Sequence, residues 1–135
     1  MAQARSLAEA AVGDDLPTLE TKPIARHDLA LYCGGSGDHN PLHTDSDFAK
    51  QAGLPDVIAH GMLSFAYLGR MLTDWADARQ LKGVHVRFVS MTQIGAPVVC
   101  SGEVTARSAD TITVSIKAQQ GGRDTIAGEA VFGLG

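Results

Sequence analysis

The sequence predicts an α+β fold in which one antiparallel β-sheet wraps around a central buried α-helix. Two patterns carry this reading. The segment from Gly61 to Trp75 is apolar nearly all the way round a helical wheel, and a helix without a polar face buries its sides against other elements. After Leu81 apolar and polar residues alternate, which is the period of half-buried strands. The length fits one domain: 135 residues, 44% hydrophobic and 19% charged, supply one core and leave no room for a second of comparable size. Residues 1–135 are therefore read as a single domain.

Residues 1–15 are small and polar, and the first ten or so are expected to be loose. Leu16 to Thr21 reads as a first strand. A short helix is expected from Arg26 to Tyr32, with His27 or Asp28 near its start, Leu29, Leu31 and Tyr32 along it, and Gly34-Gly35 as its stop. Ser36 to Asp45 is turn chemistry, punctuated by Gly37 and Asn40-Pro41. Asp45 or Ser46 caps a second short helix that carries Phe48 and Ala49 and ends at Gly53. The Gly61–Trp75 helix is expected to be buried on every side. Beyond it, Val84, Val86 and Phe88 face one way and His85 and Arg87 the other. The alternation returns in Val98, Cys100 and Val104, in Ile112, Val114, Ile116 and Ala118, and in Ile126, Ala130, Phe132 and Leu134. Short links around Ser108-Ala109-Asp110 and Gln120-Gly121-Gly122-Arg123 suit antiparallel hairpins. A sheet with one wet face and a helix apolar all round bury each other when the sheet wraps the helix, the hot-dog arrangement. The sheet leaves one side of that helix open, so a second copy of the chain is expected to close it.

The net charge of -4 arises from 11 basic and 15 acidic residues, the basic ones scattered singly. Nucleic acid is not an expected partner. The first residues lack the apolar run of a signal peptide, and no stretch is long and apolar enough to span a bilayer. No membrane partner is expected, and the expected location is cytoplasmic. Cys33 and Cys100 lie far apart with no C-x-x-C spacing and read as small core residues.

Reactive side chains are densest at Asp38, His39, Asn40, His43 and Asp45, in a loop that Asn40-Pro41 forces to turn. His60-Gly61 immediately precedes the apolar helix, so the Gly61 amide sits at a helix N-terminus, where developing negative charge is stabilised.

The stretch Tyr32 to Asp45, Y-C-G-G-S-G-D-H-N-P-L-H-T-D, followed by Ile58-Ala59-His60-Gly61-Met62, resembles the signature of the MaoC-like (R)-specific enoyl thioester hydratases. The resemblance extends to the related hydroxyacyl carrier-protein dehydratase subunits. The order of D-x-N-P-x-H loop, short helix, H-G-M and strand meander is matched over nearly the whole chain. The resemblance implies a hydro-lyase that interconverts 2-enoyl and (R)-3-hydroxyacyl thioesters without a cofactor. Asp38 and His43 would hold one water, and the Gly61 N–H would meet the thioester oxygen. Asn40 would shape the turn, His60 would support the loop, and Met62 and Phe65 would lie on the acyl side. The substrate would be a thioester of coenzyme A or acyl carrier protein, and the assembly a homodimer or a heterodimer. Two departures bear on the acyl chain. Gly69 stands where some of these hydratases have serine, and Met91 to Pro97 replaces a P-x-x-P-G-D-like turn.

Taken singly, these residues have plainer readings. An Asp and a His in a glycine-rich loop are commonly turn formers, and Met62, Phe65 and Tyr67 are core first. Asp38, His39, His43 and Asp45 have metal-binding chemistry but no recognised ligand spacing, so no metal is expected. Arg87, Arg107, Lys117 and Arg123 read as solvated strand or turn residues, although one or two could meet the phosphates of coenzyme A. An acyl thioesterase and a non-catalytic subunit of a heterodimer are the alternatives.

Overall fold

The computed structural model describes residues 6–135. Its elements run β1 (Leu19–Glu20), α1 (Arg26–Ser36), α2 (Ser46–Gln51), α3 (Gly61–Trp75), β2 (Leu81–Phe88), β3 (Val99–Arg107), β4 (Thr111–Gln120) and β5 (Arg123–Gly133). The strands form one antiparallel sheet in the order β1-β3-β4-β5-β2. The sheet lays α3 across β1, β3 and β4. This is the wrapped arrangement expected from the sequence.

The alternation places the expected residues inside. Val98, Cys100, Val104, Ile112, Val114, Ile116, Ala118, Ile126, Ala130 and Phe132 are all buried, facing Leu68, Met71 and Leu72 of α3. The two long hairpins close as the short links require. Gly121 and Gly122 join β4 to β5 with φ of 60° and 76°, a two-residue turn whose backbone matches strand twist and which residues with a Cβ resist.

Four expectations need correction. The first strand shrinks to Leu19–Glu20. Leu16 and Thr21 still donate to the carbonyls of Gly102 and Val98, each at 2.9 Å, but Pro17 has no N–H and cannot continue a ladder. Helix α1 does not stop at Gly34-Gly35; it runs through both and ends at Gly37, which takes φ 77°. Interior glycines lower helix propensity but do not terminate a helix, and burial of Leu29 and Cys33 holds this one.

The third correction concerns α3. Ser64, Leu68, Met71 and Leu72 are buried, whereas Met62 is 53% exposed and Ala66 and Arg70 are exposed. One sheet curves over only one side of a helix, so the single chain leaves an apolar flank uncovered. Fourth, Phe88 does not share the burial of Val84 and Val86; it is 55% exposed at the end of edge strand β2. The expected loose start lies partly outside the described residues, at 1–5. Beyond it, Leu7 and Ala10 are buried, and the Arg107 guanidinium donates to the carbonyls of Ala8 at 3.0 Å and Ala10 at 2.6 Å.

Candidate active site

The site is built where α1 ends, where the Asn40-Pro41 loop turns, and where α3 begins. Asn40 accepts the Leu42 N–H at 3.0 Å and so caps a short 3-10 turn, Pro41–His43. Asp45 then caps α2 by accepting the Phe48 N–H at 3.1 Å, which gives it a structural function. His39 is exposed. Within the loop, one Asp38 carboxylate oxygen accepts the Asn40 N–H at 3.3 Å. The other lies 3.9 Å from His43 Nε2.

The His43 ring is oriented by a backbone group. Its Nδ1 lies 2.7 Å from the Ile58 carbonyl. A carbonyl only accepts, so Nδ1 carries a proton and Nε2 is the ring nitrogen that faces Asp38. A separation of 3.9 Å is too long for a direct hydrogen bond and suits a small polar group touching both. His43 is mostly buried, its side chain 12% exposed, while that of Asp38 is 54% exposed.

Behind His43 lies His60, 1% exposed, its ring stacked on that of His43 at 3.8 Å between centroids and 23° between planes. The Tyr32 ring meets it edge-on. His60 Nε2 lies 3.2 Å from the Asp38 carbonyl and is the donor, and the Cys33 thiol donates to the same carbonyl at 3.1 Å. His60 Nδ1 is buried without a partner. Burial holds His60 below the usual histidine range, because charging a buried imidazole requires desolvation. Cys33 therefore does more than fill core. Cys100 is the plainer case, its thiol pushed up to about 12 by burial.

Gly61 opens α3. The Leu63 and Ser64 amides both reach the His60 carbonyl, leaving the Gly61 N–H among the first amides of the helix, which lack intrahelical partners. His43 and Gly61 line one cleft of about 390 Å3, whose other walls are Ile58, Ala59, Phe88, Val89, Ser90, Met91, Thr92, Thr125 and Ile126. Phe88 packs on Gly61 so closely that an added Cβ would come within 2.8 Å of its ring.

The structure thus brings Asp38, His43, His60 and Gly61 together, with Asn40 in the supporting turn. Met62 lies on the open flank of α3 and Phe65 packs half-buried against the core; neither lines this cleft. Asp38, His43 and His60 each offer one atom within 4.8 Å of the others, so this trio is the set with metal-binding chemistry among the described residues.

Sequence reasoning passed over Gln120. Its amide accepts the Gln93 N–H at 2.7 Å and donates to the carbonyls of Gln93 at 2.7 Å and Ala96 at 3.2 Å. It thereby holds the loop whose Gln93 pairs with Ile58, the residue that orients His43. The signal was present: Gln120 continues the buried register of Ile112, Val114, Ile116 and Ala118, where a polar side chain needs a partner.

Residues 8–123 match the family model described as MaoC like domain, and the chain belongs to this family. It is 34% identical over 95 residues to the (R)-specific enoyl-CoA hydratase of Rhodospirillum rubrum, an alignment covering 70% of this chain and 60% of that protein. Its fold superposes on the unliganded R-hydratase PhaJ1 from Pseudomonas aeruginosa with TM-score 0.84 and 27% identity, over 96% of this chain and 85% of that one. It also superposes on a chain of the ChsH1-ChsH2 complex from Mycobacterium tuberculosis with TM-score 0.81 and 24% identity, over 91% and 97%. Of several larger multifunctional relatives the chain spans only 10% or less. No helix among the described residues is long and apolar enough to cross a membrane.

Proposed function

We propose that the protein reversibly hydrates 2-enoyl thioesters to (R)-3-hydroxyacyl thioesters, with Asp38 and His43 sharing one water. The observation that carries the reading is the 2.7 Å contact of His43 Nδ1 with the Ile58 carbonyl. With Nδ1 committed to the Ile58 carbonyl, the Nε2 lone pair faces the Asp38 carboxylate across 3.9 Å. A substrate water lying between them donates one hydrogen to each. His43 takes one proton as the water oxygen bonds to the β-carbon, and the alkene electron pair moves through the α-carbon to the thioester oxygen. The enolate oxygen meets the Gly61 N–H, a contact worth about 3 kcal/mol of barrier by comparison with other oxyanion holes. The imidazolium, steadied by Asp38, then protonates the α-carbon from the same face, restoring the carbonyl and the neutral ring. Dehydration is the reverse path, and substrate supply sets the direction.

The uncovered flank of α3 and the outer edge of β2 are the surfaces on which we place a second copy of the chain. Light scattering that returned the mass of one chain would remove that placement. The chemical test mixes the protein with crotonyl-coenzyme A and follows loss of the enoyl thioester absorbance, with Asp38→Asn as control. The expected result is (R)-3-hydroxybutyryl-coenzyme A from the native protein, and a rate lower by about a hundredfold or more in the variant. Release of free coenzyme A would support hydrolysis of the thioester instead.

A further inference from the structure

The cleft that holds His43 and Gly61 is apolar along most of its wall, and Arg123 reaches its rim through Ser90, a residue of that wall. Of the four basic residues that the sequence leaves as candidates for meeting phosphate, the fold commits or removes three. Arg107 is occupied by the carbonyls of Ala8 and Ala10. Lys117 lines a different groove, on the outer face of the sheet, with Asp15 and Glu103. Arg87 lines another groove beside Glu129.

Arg123 differs from these. It is exposed at the first position of β5, directly after the Gly121-Gly122 turn. Its guanidinium donates to the hydroxyl of Ser90, a wall residue of the His43 cleft. The Ser90 hydroxyl spends its own hydrogen on the Asp124 carbonyl at 2.6 Å, so its oxygen is an acceptor for Arg123. The neighbouring Asp124 carboxylate is turned away and accepts from the Gln119 amide at 2.8 Å. Ion pairs among the described residues occupy Arg26, Arg70 and Arg79, and none includes Arg123. One N–H thus aims the guanidinium while the remaining donors of its fork stay available for an anion.

We propose that Arg123, aimed by Ser90, binds the phosphate that ends the pantetheine arm of the thioester substrate. The proposal rests on the hydratase reading. Coenzyme A and acyl carrier protein share this chemistry: an amide-linked arm with the thioester at one end and a phosphate at the other. An apolar cleft with His43 and Gly61 in its wall and the Arg123 guanidinium held at its rim by Ser90 matches such an arm.

The test compares crotonyl-coenzyme A, a crotonyl-carrier protein and crotonyl-pantetheine, which ends in a hydroxyl. The quantity read is the ratio of kcat/KM with phosphate to that without. In Arg123→Gln this ratio should fall by about tenfold, the worth of one charge-assisted hydrogen bond, through KM rather than kcat. Arg123→Lys, which keeps the charge and loses the fork, should fall between. Arg79→Gln, remote from the cleft and paired with Asp77, carries the same loss of charge and should leave the ratio unchanged. A loss seen only with crotonyl-coenzyme A assigns the phosphate to that carrier, and a loss seen only with the carrier protein assigns it to the protein-borne arm. An unchanged ratio in Arg123→Gln, or an equal fall in Arg79→Gln, overturns the proposal. If the native protein turned over none of the three substrates the hydratase reading would fail by itself. Calorimetry with coenzyme A then decides: binding weakened by Arg123→Gln sustains the phosphate contact, and binding that is absent or unaltered ends it.

Discussion

Replacing Gln120 with leucine tests whether a side chain at the end of a strand holds the loop that supports His43 through Ile58. Leucine is close in size and fills the same buried position, so the change removes hydrogen bonds with little change of volume. Three are lost: one from the Gln93 N–H and two to the carbonyls of Gln93 and Ala96. The Gln93 N–H and carbonyl are left unmet at roughly 1–2 kcal/mol each, whereas the Ala96 carbonyl keeps the Ile24 N–H at 3.1 Å, so the total is roughly 2–4 kcal/mol, softened where water reaches the loop. For a domain of this size that corresponds to a fall in Tm of roughly 10 °C. The effect should reach the site, because Gln93 pairs with Ile58 and the Ile58 carbonyl orients His43. Thermal unfolding followed by circular dichroism gives the first number, and crotonyl-coenzyme A turnover well below Tm gives the second. A Tm change under about 2 °C would refute the energetic argument. A destabilised but fully active variant would refute the link from Gln120 to His43.

Two further perturbations address His60 and Gly61. Burial lowers the folded-state pKa of His60, so between that value and the ordinary histidine value the unfolded chain binds a proton that the native chain refuses. Its contribution to stability is therefore complete above the ordinary value and lost as pH falls through the lowered one. Urea midpoints should drop from about pH 7 to about pH 5 more steeply in the native protein than in His60→Phe, and equal slopes would show that His60 does not drive the drop. In Gly61→Ala the added methyl meets the Phe88 ring at 2.8 Å. Turnover should fall while Tm changes little, and Phe88→Ala in the same chain should restore part of the rate. A double variant no faster than Gly61→Ala would show that the ring is not the obstacle.

Most of the fold could be read from residue order because its two periodicities are local and strong. The buried face of β4 follows the alternation throughout and that of β3 as far as Val104, while β5 buries Thr125 and Ile126 side by side, and Asp45 caps α2 as its position suggests. What escaped the sequence depends on groups that residue identity does not specify. The acceptor that fixes the His43 tautomer is the backbone carbonyl of Ile58, and any residue there would offer one. The continuation of α1 through Gly34-Gly35 follows from tertiary burial of Leu29 and Cys33, which outweighs local propensity. Exposed Phe88, Val89 and Met91 line the cleft because β2 ends at the sheet edge, and alternation alone does not show where an edge lies. The cluster of Asp38 and His43 was legible, while the Cys33 and His60 contacts to the Asp38 carbonyl required three-dimensional placement.

That doubly held carbonyl separates two properties of position 38. The thiol of Cys33 and the imidazole of His60 grip the peptide group, whereas the carboxylate stands 54% exposed. The course of the loop is thus tied chiefly through its main chain, while the side chain adds one contact, from the Asn40 N–H at 3.3 Å, and turns its other oxygen toward His43. A substitution at this position, by mutation or by design, therefore changes the group presented to His43 while the Cys33 and His60 hold on the peptide carbonyl remains.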